Sequence, residues 1–385
     1  GIRTPIIKEN DDLASIVVDS VINASESEGF NFKDKDIIAI TEAVVGISEG
    51  NYVTVDNIVS DLNAKFPSKE IGIVYPILSR NRFSMILKAI ARAMDKVTIL
   101  LSFPSDEVGN GIMDENLLSA SPFNLGSLIS EEDYEKYFGT FIHPFTGINM
   151  VDYYRDLVKS ENCDVEFVFS NNPSDILKYT NNVLTCDIHS RFKTKKALSE
   201  QGAFVLSLSD ILNESVGGSG FNPDYGLLGS NKSTDERLKL FPKDGASLVL
   251  KIKDEMFKRT GKNFEVMVYG DGAFKDPVGG IWELADPVVS PFYTEGLKGT
   301  PNEIKLKYVS DNMFADLRGD ELKDAIKEEI KKKDNDLKGQ NVSLGTTPRR
   351  ITDLVGSLCD LTSGSGDKGT PVVLVQGYFD NLADE

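Results

Sequence analysis

Alternation of apolar and polar positions is clearest at residues 264–269. Phe264, Val266 and Val268 alternate with Glu265, Met267 and Tyr269, a period of two that predicts a strand. The strand runs into Gly270-Asp271-Gly272, which sets a carboxylate at a strand end with room for close backbone approach. Mixed α/β proteins place ligand sites at such ends. The plainer reading is a hairpin turn, because Asp-Gly is a common turn pair.

Further strands are expected at residues 37–41, 97–103, 164–169, 182–188, 203–208 and 372–375. A 3.6-residue stripe predicts helices elsewhere. After Asp11 or Asp12 as cap, Leu13, Ile16, Val17 and Val21 form one apolar face. Residues 53–66, 82–94 and 351–361 follow the same pattern, and 244–260 closes at Gly261, a C-cap residue type. Residues 320–333 predict a charged helix with a Leu322, Ile326 and Ile330 stripe, its other side solvated. Residues 42–50 read as a small-residue segment after the first strand, and Ser174 as the cap of a short helix. Strand and helix alternate from 164 to 210, which predicts a small parallel α/β unit. Residues 104–150 change character, with many Ser, Asn, Gly and acidic residues. There Asp106, Asp114 and Glu115 surround Gly109-Asn110-Gly111, as a cation cluster or a solvated loop.

Composition narrows the chemistry. A chain of 385 residues allows two or three domains. A net charge of −18 repels nucleic acid and anionic membrane, so both are set aside as partners. No apolar run is long enough to span a bilayer. Three scattered cysteines, Cys163, Cys186 and Cys359, and no visible signal peptide suggest a cytoplasmic protein. With two histidines and 60 acidic residues, any metal is expected to be a hard, oxygen-ligated ion such as Mg²⁺ or Mn²⁺. Residues 363–369, SGSGDKG, offer backbone N–H groups and Lys368 to an anion, or serve as a flexible connector. The order helix–loop–strand is not that of a P-loop.

Several stretches together resemble one family. TPIIKENDDLASIV, DKDIIAITEAVVGISEG, the segment from GSNKSTDERLKLF to FEVMVYGD, and ITDLVGSLCDLTSGSGDKGTPVVLVQGY are similar, in order, to segments of the coenzyme F-420 gamma-glutamyl ligases. The resemblance implies a mixed α/β fold. Its ligase-like core would be discontinuous, from residues 1–95 and 221–385, with an α/β insertion at 96–220. It also implies that GTP activates a carboxylate as an acyl phosphate, that the amino group of glutamate then attacks, that Mg²⁺ or Mn²⁺ assists, and that two copies form a homodimer. On this resemblance Thr4, Pro5, Ile6 and Ile7 fall on a nucleotide segment and Asn231 on a nucleotide-contacting Asn. Ser363, Gly364, Ser365, Gly366, Asp367, Lys368 and Gly369 fall on the nucleotide loop, and Asp271 on a metal-binding Asp.

The sequence also departs from that pattern. Leu228 stands where a second metal-binding Asp is expected, Gly272 where a hydroxyl is expected, Ser365 where a loop acid is expected, and Ile47 in place of a Lys. Asp106 or Asp114 is the candidate replacement for the lost acids. The alternative is a non-catalytic member that binds a nucleotide or metabolite.

Overall fold

The computed structural model describes residues 1–272, 285–346, 349–364 and 366–384. Its strands, in chain order, are β1 (Ile37–Thr41), β2 (Tyr52–Thr54), β3 (Glu70–Val74), β4 (Lys96–Leu101), β5 (Ile129–Ser130), β6 (Asp164–Phe169), β7 (Asn182–Thr185), β8 (Phe204–Ser207), β9 (Asn231–Thr234), β10 (Arg237–Lys239), β11 (Glu265–Tyr269), β12 (Phe292–Tyr293) and β13 (Val372–Val375).

The first sheet has the order β12–β11–β1–β13 and draws its strands from both ends of the chain. Here β1 and β11 pair in parallel, with Ile37 opposite Glu265 and Thr41 opposite Tyr269; β12 and β13 are antiparallel edges. Both faces are covered, which is why β1 and β11 read as buried at nearly every position. Ile38, Ile40, Val266 and Val268 pack with Val17 and Val21 of the helix Leu13–Glu28 and with Ile252 and Met256 of the helix Gly245–Thr260. The alternate residues Ile37, Ala39, Met267 and Tyr269 pack on Val355 and Cys359 of the helix Ile351–Thr362. Asp12 caps the first helix by accepting the Ser15 N–H, and Gly261 ends the second in the left-handed region at φ 69°.

The second sheet has the order β5–β6–β4–β3–β7–β8, with β5 the one antiparallel strand among them. The chain lays β3, β4 and β6 outward on one side, then returns to add β7 and β8 on the other. The order therefore switches between β3 and β7, the position where open parallel sheets form a crevice at their strand carboxyl ends. The unit read from 164–210 is one part of this sheet, and its first strand, β3, precedes residue 96. A three-stranded antiparallel sheet, β2–β10–β9, shares the core of the six-stranded sheet; its Val53 and Leu238 belong to the same core as Ile73, Ile99 and Tyr154.

Mixed α/β content is thus observed, with a core sheet from the two chain ends and an α/β unit between. Three local expectations differ. Residues 42–48 form a helix, Glu42–Ser48, because Val44 and Val45 gain burial as a helical face. Residues 104–150 hold the helices Glu115–Ala120 and Glu131–Phe138; Tyr134 and Phe138 pack inward, with Tyr134 stacked 4.1 Å from Phe169, whereas Tyr137 and Phe145 are exposed. The short element at Pro173–Lys178 is a 3₁₀ turn capped by Asn172, whose side chain accepts the Ser174 N–H. Among the described residues no helix is long and apolar enough to cross a membrane.

Candidate active site

The parallel register of β1 and β11 decides which acids meet. Thr41 lies opposite Tyr269, so the residues that follow, Glu42 and Gly270-Asp271-Gly272, leave the sheet at the same end. The Thr41 N–H donates to the Pro371 carbonyl, so the glycine-rich loop enters β13 at this end too.

Across from it stands the loop after β3. The Arg82 guanidinium reaches the Asp271 carboxylate at 2.6 Å and the Asp286 carboxylate at 2.8 Å. The other Asp286 oxygen accepts the Asp271 N–H at 2.9 Å, and Asp360, from the helix Ile351–Thr362, accepts the Gly272 N–H at 2.9 Å. Behind them Lys239 pairs with Glu42 at 3.1 Å, both side chains buried. Among the described residues two cations thus pair with three of these four carboxylates, and Asp360 is held by a backbone N–H. Burial, reinforced by Asp286, Asp360 and Glu42, raises the Asp271 pKa despite the shared guanidinium. Burial likewise raises Glu42 against the pull of Lys239. The glycines around Asp271 are steric requirements: a Cβ on Gly270 would lie 2.2 Å from Asp286 Oδ2, and one on Gly272 2.8 Å from the Ser357 Cα. That explains Gly272 where the resemblance expects a hydroxyl.

Asp271 and Arg82 line a cavity of about 670 Å³ together with residues at the carboxyl ends of β3 and β4, among them Ser79, Arg80 and Asn110. The carboxyl ends of the parallel pair β1–β11 and of the parallel strands β3 and β4 thus face one cleft. The loop that bears the arginines is held firmly. The buried Tyr154 hydroxyl accepts the Ser79 N–H and lies 3.0 Å from the Ile77 carbonyl; Asp106 accepts the Leu78 N–H; the Lys232 N–H donates to the Asn81 carbonyl.

The nucleotide segments inferred from the resemblance lie elsewhere on the same fold. Thr4 and Pro5 line a second cavity of about 1060 Å³ with Arg3 and Lys368, beside the helix Leu13–Glu28. The Thr4 N–H donates to the Gly369 carbonyl at 3.3 Å, which ties the N-terminal segment to the glycine-rich loop. Ile7 is buried in the core, whereas Ile6 is exposed. Ser363 donates to the Thr370 carbonyl, Gly364 bridges Thr370, and Gly366, Asp367 and Gly369 are exposed. Ser365 lies outside the described residues. Asn231 begins β9 and sits opposite Lys239, hence beside the Glu42 pair.

Two of the proposed replacement acids are committed to local structure. Asp106 is half-buried and accepts the N–H groups of Leu78, Val108 and Asn110, and burial pushes its carboxyl up to about 6. Asp114 caps the helix Glu115–Ala120. Leu228 is buried in the large core and brings no carboxylate.

Oxygen donors of this kind suit Mg²⁺ or Mn²⁺, but their arrangement does not fit a resident ion. Arg82 occupies Asp271 and Asp286, backbone N–H groups occupy Asp286 and Asp360, and among the described residues no group of three acidic, histidine or cysteine side chains is arranged to hold a metal.

Sequence reasoning did not find Glu42, Arg82, Lys239, Asp286 or Asp360. One signal was present for two of them: Glu42 follows a buried strand as Asp271 does, and Asp360 interrupts an apolar helical stripe.

No curated protein matches the chain. The family model described as F420-0:Gamma-glutamyl ligase matches residues 1–377, across the middle of the chain as well as its ends. A match of nearly the whole chain shows that this protein belongs to the F420-0:gamma-glutamyl ligase family.

Proposed function

We propose that this protein couples a carboxylic acid to the amino group of glutamate at the expense of GTP. In this reading the acid carboxylate attacks the γ-phosphorus, the bond to GDP breaks, and an acyl phosphate forms. The glutamate nitrogen then attacks the acyl carbon, the carbon–oxygen bond to phosphate breaks with its electron pair, and the amide results. The nitrogen loses a proton, and Asp271 is the group we assign to take it. Its carboxylate lines the cleft and binds a proton more tightly than an ordinary Asp. Arg82 positions Asp271 and does not itself react. A divalent cation, Mg²⁺ or Mn²⁺, enters only as the counter-ion that the nucleotide carries. The reading includes a cytoplasmic homodimer, for which light scattering is the check.

The observation that carries the proposal is the cleft itself, where a strand-end Asp from the family's core faces two arginines of the six-stranded sheet. The test is GTP-dependent incorporation of labelled glutamate into an amide, with phosphate release, over a panel of carboxylic acids. Amide formation that needs GTP supports it, and its loss in Asp271→Asn supports the proton role.

A second reading is favoured by Leu228 and by the engagement of Asp271 with Arg82: a member that binds nucleotide or metabolite without turnover. Binding of GTP with no amide formed over the whole panel would select it.

A further inference from the structure

Arg82 holds the position between two acids that a metal ion would otherwise take. Its two Nη atoms go to different carboxylates, one to Asp286 at 2.8 Å and the other to Asp271 at 2.6 Å. The seat is enclosed: the Asp286 side chain is wholly buried, and that of Arg82 is 17% exposed. The second Asp286 oxygen is already taken by the Asp271 N–H. A divalent ion of the kind that the family resemblance implies needs about six oxygen ligands. Leu228, buried in the core, stands where that resemblance expects a further acid. A guanidinium stays charged and needs no such shell, because its fork matches carboxylate oxygens directly.

The chain delivers this guanidinium from a firm base. Arg82 precedes the helix Phe83–Ala93 as its N-cap residue, and its N–H donates to the Ser79 hydroxyl at 3.1 Å. The next residue, Phe83, is buried beside Tyr154, with ring centroids 5.8 Å apart. The Tyr154 hydroxyl in turn accepts the Ser79 N–H. An ion and this guanidinium exclude each other, since they compete for the same oxygens and repel as like charges. Glu42 is closed in the same way. The Lys239 ammonium lies 3.2 and 3.1 Å from its two oxygens, with both side chains buried. The acids that follow β1 and β11 thus carry cations supplied by the chain itself.

We infer that the Arg82 guanidinium is the resident cation of this cleft, seated where a divalent ion would otherwise bridge Asp271 and Asp286, and that these two acids bind a metal only when Arg82 is removed. Any divalent ion in the cleft then arrives with a phosphate-bearing ligand and leaves with it. The inference concerns the protein alone and does not rest on the ligase reading.

The test is titration of the full chain with Mn²⁺ alone, after chelator treatment and desalting, with free ion read by electron paramagnetic resonance. No nucleotide or carboxylic acid is present. Wild type, Asp271→Asn, Arg82→Ala and the double variant Arg82→Ala/Asp286→Asn are compared. Wild type and Asp271→Asn should give the same weak isotherm, set by the surface acids of a chain of net charge −18. Arg82→Ala should gain one site about ten-fold or more tighter than that background, and the double variant should lose it. Removing Arg82 costs stability, so circular dichroism is recorded for every variant. Arg82→Gln, which keeps an uncharged amide donor, takes the place of Arg82→Ala if the latter does not fold. A stoichiometric Mn²⁺ site in wild type that Asp271→Asn removes overturns the inference, whatever the Arg82 variants do. So does a folded Arg82 variant that gains no site. Failure of glutamate incorporation would leave these isotherms unchanged, so the ligase reading and this inference fall separately.

Discussion

The guanidinium of Arg82 lies 2.6 Å from the carboxylate of Asp271, and this ion pair joins the loop after β3 of the six-stranded sheet to the end of β11 in the four-stranded sheet. The same guanidinium holds Asp286, whose side chain is wholly buried, so one arginine contacts two acids 15 residues apart.

Arg82→Met leaves the wholly buried Asp286 carboxylate without its cation. Removing one partner of a buried pair costs about 3–5 kcal/mol, because the remaining charge stays buried and unpaired. Urea unfolding at neutral pH should show a loss of this size. A loss below about 1 kcal/mol would mean that the carboxylates are solvated or protonated without Arg82.

Asp271 gives the protein an unusual response to pH. Its pKa rises from 3.8 unfolded to about 8 folded, so the folded state holds this proton more tightly. Stability from this group is therefore lost as pH rises between those values. Unfolding free energy should fall toward pH 8, and the Asp271→Asn variant should show a flatter profile. Parallel profiles for the two proteins would remove Asp271 as the source.

Gly272→Ser would restore the hydroxyl that the family resemblance expects. Its Cβ would sit 2.8 Å from the Ser357 backbone, so the helix Ile351–Thr362 must move. Overpacking of this kind costs about 1–3 kcal/mol. A thermal melt should record lower stability; a variant as stable as wild type would show that the helix yields freely.

Tyr154→Phe removes the hydroxyl that accepts the Ser79 N–H. A buried donor left unsatisfied costs about 1–3 kcal/mol. Amide exchange at Ser79 should accelerate while exchange in β4 is unchanged. Uniform acceleration throughout the sheet would instead indicate global destabilisation, with no special hold on this loop.

Much of the local structure was legible in the sequence. The alternation at 264–269 specified β11, Asp12 and Gly261 marked helix ends, and the rhythm of 164–210 announced parallel strands, because each signal rests on neighbours within a few residues. The motifs at both ends of the chain likewise carried the family. No element was legible in residues 104–150, because the burial of Tyr134 there depends on Phe169, far along the chain.

Sequence alone determined that Asp271 ends a buried strand and that the chain has a large negative charge. Only the tertiary structure decided what Asp271 meets. Arg82, Asp286 and Asp360 lie 189, 15 and 89 residues from it, and no periodicity links them. The parallel register of β1 with β11 and the switch of strand order at β3 bring them to one cleft. Register and strand order are set by packing of whole sheets, so the chemistry of the site emerges when the sheets are placed.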